Sequence, residues 1–385
     1  MDHVGTTRPL TTLSPIRPDR MRDLTNRLRI VRYTPGLGRP LLQLGFIHYA
    51  RWLVVDSLPP PVGNGGRIGL RWKYLLFESN YDGREQDYLR TFADVLPARI
   101  AKLWGACFGF EIYAQRGHGA NLAPSGFLAF VERNRLEVVD FYAAYPSATA
   151  IDVRQAIRLK HLVAEALDES GEDSAIRRIA QAGPIALGPV SAPLTLRERL
   201  QELYNPWKSA MVGRYGVNPL TVVTPLAHAD ERALRRLCKQ ASPLRGLADT
   251  ETHFARLAII PRRLMDLGQP DPDILETSYL LFTSDAWGQS YDQIEAIRTR
   301  LGGIADQLWG GCDGYDGHRD RARFHAWVNG HSLPTRYYVA GYPPRTVSEI
   351  KLSLKERAQV ADSYVAEPHP PASRLLAALD TADRD

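Results

Sequence analysis

Two short segments place a histidine and an arginine at the same spacing. They are IHYARW at 47–52 and THFARL at 252–257, at an offset of 205 positions. An imidazole can exchange a proton near neutral pH, and a guanidinium can hold a carboxylate through two parallel hydrogen bonds. The candidate ligand-binding residues are therefore His48, Arg51, His253 and Arg256.

The same four side chains also have a structural interpretation, because buried polar groups are usually paired within the protein. Alternation along a strand would put His48 and Arg51 on opposite faces. An imidazole can stay neutral in a core, whereas an arginine cannot lose its charge and must reach a partner. We therefore expect the histidines to face the helices and the arginines to face the contact between two units.

The rest of the chain repeats in the same way, which is the strongest signal in the sequence. YLLFESNYDG (74–83) matches YLLFTSDAWG (279–288), and LWGACFGF (103–110) matches LWGGCDGY (308–315). Weaker matches relate TTLSPI to TVVTPL and AAYPSAT to AGYPPRT. The predicted organisation is repeat 1 at 10–165, a partly helical connecting segment at 166–219, repeat 2 at 220–365 and a mobile tail at 366–385.

Within each repeat the patterns predict the order β-α-β-β-α-β with extra helices. That order is the ferredoxin-like arrangement, an antiparallel four-stranded sheet with helices on one face. Both faces of the segment FIHYARWLVV (46–55) are largely apolar, so both faces should be covered. The predicted fold class is α+β, with two ferredoxin-like units packed sheet to sheet as an intrachain pseudo-dimer.

Two such units resemble the dimeric α/β-barrel superfamily, which includes dye-decolourising peroxidases, chlorite dismutases and small cofactor-free monooxygenases. The motifs H-[FY]-A-R, L-L-F-x-S-[ND] and L-W-G-x-C-x-G are similar to those of a tandem-repeat, largely uncharacterised bacterial family. The resemblance implies a fold, and it implies no particular reaction. The segment GCDGYDG at 311–317 does not reproduce the haem motif of the peroxidases.

Three other features are weaker candidates. Cys107 and Cys312 follow a helix end rather than a helix start, which disfavours a reactive thiolate, so we expect buried, inert thiols. His325 lies on a predicted helix of repeat 2 and is the candidate ligand if haem is bound. No metal site is predicted, because the chain lacks zinc-finger and EF-hand spacings. No cofactor is predicted, and haem stays open as an alternative.

Composition limits the remaining classes. The chain of 385 residues carries 48 basic and 43 acidic residues, and the basic residues form no patch with interleaved aromatics. This argues against nucleic-acid binding. No apolar run is long enough for a membrane span, and the first 20 residues contain no signal-peptide core. We predict a cytoplasmic protein.

The sequence leaves two functions open. One is a protein or enzyme that binds a small, partly apolar or anionic molecule in a cavity between the repeats, with an oxidative reaction as one option. The alternative is a non-catalytic module whose duplicated fold presents a surface to a partner protein. A roomy pocket with converging polar groups would favour the first function, and a filled interface would favour the second.

Overall fold

The computed structural model describes residues 5–33, 44–61, 66–113, 124–170, 216–226 and 228–366. Most of the connecting segment and the end of the chain lie outside the described residues, and so do the greater part of the predicted connection at 166–219 and the predicted mobile tail beyond residue 366. None of the described helices combines the length and apolar character needed to cross a membrane.

The described residues form two four-stranded antiparallel sheets. The strands are β1 (Thr7–Ile16), β2 (Ile47–Leu58), β3 (Ile68–Asp82), β4 (Glu137–Ala143), β5 (Val217–Leu226), β6 (Thr252–Ile260), β7 (Ser278–Trp287) and β8 (Tyr337–Ala340).

Eleven α-helices cover the sheets within the same residues. They are α1 (Met21–Tyr33), α2 (Glu85–Val95), α3 (Pro97–Leu103), α4 (Phe110–Tyr113), α5 (Pro124–Asn134), α6 (Ala150–Ser170), α7 (His228–Ala241), α8 (Ser290–Leu301), α9 (Gly303–Trp309), α10 (Arg321–His331) and α11 (Val347–Ala366).

Local sequence explains where several helices begin and end. Pro97 lacks a backbone N–H and divides a long helical pattern, so α2 ends at Val95 and α3 begins at Pro97. Asp320 accepts a hydrogen bond from the Arg323 backbone at 3.0 Å and caps α10.

The prediction of two packed ferredoxin-like units in an α+β fold is confirmed, with one addition: the units exchange their last strands. The sheet orders are β1-β3-β2-β8 and β4-β6-β7-β5. Strand β8 of repeat 2 therefore pairs with β2 of repeat 1, and β4 of repeat 1 pairs with β6 of repeat 2. The backbone N–H of Gly341 continues this exchange by donating to the His48 carbonyl at 2.7 Å.

The two sheets also touch along both pairs of edge strands. At one seam the Leu136 backbone N–H donates to the Thr11 carbonyl at 2.9 Å, and at the other Leu333 donates to Thr221 at 2.8 Å. The eight strands therefore close into a barrel-like arrangement. A barrel of about eight strands has an interior that side chains can fill completely.

The interior of this barrel has three layers. One end is apolar, and its fully buried side chains occur as equivalent pairs from the two repeats: Leu13 and Val223, Leu53 and Ala258, Leu76 and Leu281. The middle layer is charged, and the other end combines histidines with aromatic rings. The helices cover the outer surface, where Trp52, Phe77 and Trp104 form one core and Phe282, Trp309 and Phe324 form another.

Candidate functional site

The charged middle layer is built by the two predicted arginines. Arg51 and Arg256 are 2% and 3% exposed, and each reaches across the barrel into the sheet opposite its own strand. Arg51 Nη1 donates to the Leu220 carbonyl at 2.7 Å. Arg256 Nη1 donates to the equivalent carbonyl, that of Leu10, also at 2.7 Å. The prediction that the arginines face the contact between the units is confirmed.

Arg51 is fully engaged by protein groups. Besides the Leu220 carbonyl, its Nη atoms donate to Thr221 Oγ1 at 3.2 Å, the Ser284 carbonyl at 3.0 Å and Asp285 Oδ1 at 2.5 Å. Its Nε lies 3.4 Å from Glu78 Oε2, close enough for an ion pair although not aligned as a hydrogen bond. Every nitrogen of the guanidinium has a partner, so none is left for the anionic ligand that the sequence suggested.

The layer as a whole is charge-balanced. Glu78 and Asp285 are each 2% exposed and supply two carboxylates for the two guanidinium groups. Burial opposes the charge on Arg51, but Asp285 and Glu78 outweigh it and raise the Arg51 pKa. For Arg256 burial prevails and lowers the pKa, and the Arg51 charge acts in the same direction. The layer therefore joins the two repeats through the Arg51–Asp285 ion pair and through the hydrogen bonds that Arg256 donates to neutral oxygens.

The histidines do not face the helices, so that expectation is wrong. Both sit at a β-bulge: the pairing steps from Ile47 to Tyr49 against adjacent residues of β3, and from Thr252 to Phe254 against β7. A bulge inserts one residue that breaks strict alternation and re-aims its side chain. As a result, His48 points into the barrel end, where its ring centroid lies 5.1 Å from that of Phe254.

At this barrel end a chain of hydrogen bonds joins the two histidines. His48 Nε2 lies 2.9 Å from Asp82 Oδ1, and His48 Nδ1 lies 3.1 Å from Tyr342 Oη. Tyr342 Oη lies 2.6 Å from Tyr145 Oη, which lies 3.0 Å from His253 Nδ1. We call these five residues the histidine–tyrosine chain. It runs from one repeat to the other through the exchanged ends of β4 and β8.

The histidine–tyrosine chain is almost fully buried. Both imidazoles are 0% exposed, and the two tyrosines are each 4% exposed. Burial raises the pKa of Tyr145 and Tyr342 well above 10, and the nearby Tyr49 phenol raises both further. Burial likewise lowers the pKa of His253 to about 3. Both phenols and the His253 imidazole are therefore neutral at pH 7.

The two ends of the histidine–tyrosine chain differ, because the repeats carry different residues there. Asp82 holds His48 on one side and accepts the Ala150 backbone N–H at the start of α6 at 2.7 Å. The equivalent position in repeat 2 is Trp287, which supplies no carboxylate to His253. His253 Nε2 makes no hydrogen bond of normal geometry with a described residue. The Arg345 carbonyl nevertheless lies close enough to favour its protonation.

The sequence did not single out Asp82, Tyr145 or Tyr342. The repeated Tyr-Pro in AAYPSAT and AGYPPRT counts in the sequence only as one of the weaker matches between the repeats. The stronger signal was the coincidence of a repeated histidine with a repeated tyrosine, but their proximity depends on the strand exchange.

The remaining candidates occupy separate places. His325 is 8% exposed, its Nε2 lies 3.1 Å from Glu295 Oε2, and its ring packs on Tyr291. His318 pairs with Asp306, and His331 with the Trp327 carbonyl. Cys107 and Cys312 are buried, and burial raises the pKa of Cys312 to about 11. Among the described residues no group of three or more histidine, cysteine, aspartate or glutamate side chains could hold a metal ion.

Comparisons with known proteins add little to this geometry. No protein-family model matches the sequence, and no curated protein matches it significantly. Among solved structures, an anthrone oxidase-like protein aligns with 90% of this chain and 97% of its own, at 10% identity and a TM-score of 0.22. A TM-score this low carries no argument about function.

Proposed function

We propose that the protein is an enzyme acting on a small molecule by acid–base chemistry, and that the histidine–tyrosine chain is its proton path. The observation that supports the proposal is the unbroken series of contacts from Asp82 to His253, each between 2.6 and 3.1 Å. Buried polar chains of this kind are costly unless every member is satisfied. Perturbed titratable groups of this kind cluster at functional sites.

Protons can be placed on the atoms of the histidine–tyrosine chain in two ways. In one, His48 donates from Nε2 to Asp82, and protons point from His253 Nδ1 through both phenols toward His48 Nδ1. In the other, which holds one more proton, every donor between the imidazoles is reversed. His48 then carries a proton on both nitrogens, and His253 carries its proton on Nε2, toward the Arg345 carbonyl. Histidine tautomers are assigned from such networks, and both arrangements satisfy this one.

One added proton converts the first arrangement into the second. A proton arriving at His253 Nε2 releases the Nδ1 proton to Tyr145, Tyr145 passes its own to Tyr342, and Tyr342 passes its own to His48 Nδ1. The positive charge then rests on His48, 2.9 Å from the Asp82 carboxylate that stabilises it. The low pKa of His253, about 3, keeps the charge from staying there.

The reaction best suited to a proton path of this kind is proton transfer to or from a carbon acid or a phenol. A positioned general acid or base contributes about 10²–10⁴-fold to a rate.

The proposal can be tested by incubating the protein in D₂O with small ketones and phenols and measuring deuterium incorporation by NMR. Tyr145→Phe and Tyr342→Phe interrupt the chain and should each lower the exchange rate by about 100-fold or more. Tyr291→Phe, on a side chain 47% exposed in α8, is the control. Phe variants that fold and exchange as fast as the unmodified protein would refute the proposal.

A non-catalytic interaction module is the second candidate, and one observation favours it. The centre of the barrel is filled, since Arg51 and Arg256 each bond to two strands of the opposite sheet. If no compound is turned over and both Phe variants change only the melting temperature, this second function is the better account.

A further inference from the structure

A cavity of about 450 Å³ lies at the seam where β1 meets β4. The seam is held by the Thr12–Arg135 bridge and by the bond from the Leu136 backbone to the Thr11 carbonyl. Pro9, Leu136 and Val138 supply apolar surface to the cavity. It lies outside the barrel, apart from the histidine–tyrosine chain, and its volume is in the range of small-molecule sites.

The charged groups lining this seam cavity are paired, with one exception. Arg135 pairs with Glu85 and lies 3.8 Å from Glu132, and Glu137 lies 2.5 Å from Arg235. Arg8 also lines the cavity and is partly buried. Among the described residues nothing forms a hydrogen bond or an ion pair with its guanidinium. A half-buried arginine with no protein partner among the described residues is available to an anion.

The second seam, between β5 and β8, shows that the fold does not need these charges. There the bridge joins Val222 and Ser332, the positions equivalent to Thr12 and Arg135. Asn218 stands where the first seam has Arg8, and its Nδ2 donates to Ser290 Oγ at 2.7 Å and Gln293 Oε1 at 3.1 Å. At the second seam Asn218 is thus satisfied by neutral hydrogen bonds. The first seam instead carries a cavity and an arginine that has no partner among the described residues.

We propose that the seam cavity binds a small monocarboxylate with a short apolar body, held by Arg8. One guanidinium can hold one carboxylate through two parallel hydrogen bonds. Three glutamates line the site, so a dianion such as phosphate would meet more like-charge repulsion than a monoanion. The apolar body would lie on Pro9, Leu136 and Val138. This inference does not rest on the proposed function.

The test is isothermal titration calorimetry of the full chain with octanoate and benzoate, and with octanol and benzamide as uncharged counterparts. Saturable binding of a carboxylate is expected, without comparable binding of its counterpart. Arg8→Asn, which installs the residue of the second seam, should weaken binding by about tenfold or more. Arg8→Lys keeps the charge but loses the planar fork, and should weaken binding less.

Arg90→Asn removes an exposed arginine from α2, outside the cavity, and should bind as the unmodified protein does. The absence of saturable carboxylate binding would overturn the proposal. So would equal affinity in Arg8→Asn and the unmodified protein, or equal loss in Arg8→Asn and Arg90→Asn. Tyr145→Phe and Tyr342→Phe should bind carboxylate normally, which keeps this test separate from that of the proton path.

Discussion

Asn80 and Asp285 hold equivalent positions in the two repeats and meet inside the barrel, where Asn80 Nδ2 donates to Asp285 Oδ2 at 3.1 Å. Asn80 Oδ1 accepts from Arg256, and Asp285 Oδ1 accepts from Arg51. Two aspartates here would bring two carboxylates together, and two asparagines would leave Arg51 with one carboxylate fewer. The amide in one repeat and the acid in the other satisfy both contacts.

Asp285→Asn should therefore destabilise the protein strongly. It removes the charge that faces Arg51, and the new NH₂ group must point at a donor, either Arg51 or Asn80. Breaking a buried ion pair by removing one partner costs about 3–5 kcal/mol. The free energy of unfolding from urea titration measures this, and Asp94→Asn on the exposed face of α2 should change it by less than about 0.5 kcal/mol. Equal effects of the two substitutions would contradict the role given to this layer.

The repeated segments were enough to predict the class of fold and the direction of the arginines. The alternation of side chains along β2 and β6 determines which face of each strand carries Arg51 and Arg256. Because an arginine keeps its charge, that face must meet polar groups, which the opposite sheet supplies. The same alternation failed for His48 and His253, because a bulge depends on how the neighbouring strand pairs and leaves no mark in the strand's own pattern.

The strand exchange also could not be predicted from the sequence. A strand that completes its own sheet and one that completes its neighbour's have the same alternation and length, since both edges offer the same backbone groups. Tyr145 and Tyr342 meet only because β4 and β8 are exchanged. The histidine–tyrosine chain therefore could not be assembled from spacing alone.

Acidification should destabilise the protein through His253. Its pKa in the folded protein is about 3, below the ordinary histidine value. The unfolded chain therefore takes up the proton first, and the stabilisation present above about pH 6.5 is lost as the pH falls toward 3. The loss from this group should approach about 1.4 kcal/mol per pH unit in that window.

His253→Gln removes the titrating group while leaving a side chain that can bond to Tyr145. Urea unfolding at several pH values between 7 and 4 should show a shallower decline for this variant than for the unmodified protein. Other groups titrate in both proteins, so the difference between the two slopes isolates His253. Parallel curves would show that His253 is not buried as a neutral imidazole.

The three cysteines should be inert in the folded protein. Burial raises the pKa of Cys238 to about 12 and that of Cys312 to about 11, and it raises the pKa of Cys107 further, although Arg17 opposes it. The thiolate is the reactive form, so Ellman's reagent at pH 8 should find almost no thiol until denaturant is added. Rapid reaction of one thiol without denaturant would mean that its surroundings open readily.

The strand exchange makes the two repeats hard to separate once folded. A protease site inserted in the stretch 171–215 would allow the chain to be cut between them. We expect the two fragments to elute together after cleavage, because β4 lies in the sheet of repeat 2 and β8 pairs with β2 of repeat 1. The ion pair between Arg51 and Asp285 also links the two fragments across the barrel. Size-exclusion chromatography before and after adding urea provides the measurement.

The same cut in Arg51→Met, which leaves the carboxylates of Glu78 and Asp285 without that partner, should release the fragments at a lower urea concentration. Fragments that separate without denaturant would show that the exchanged strands do not hold the repeats together.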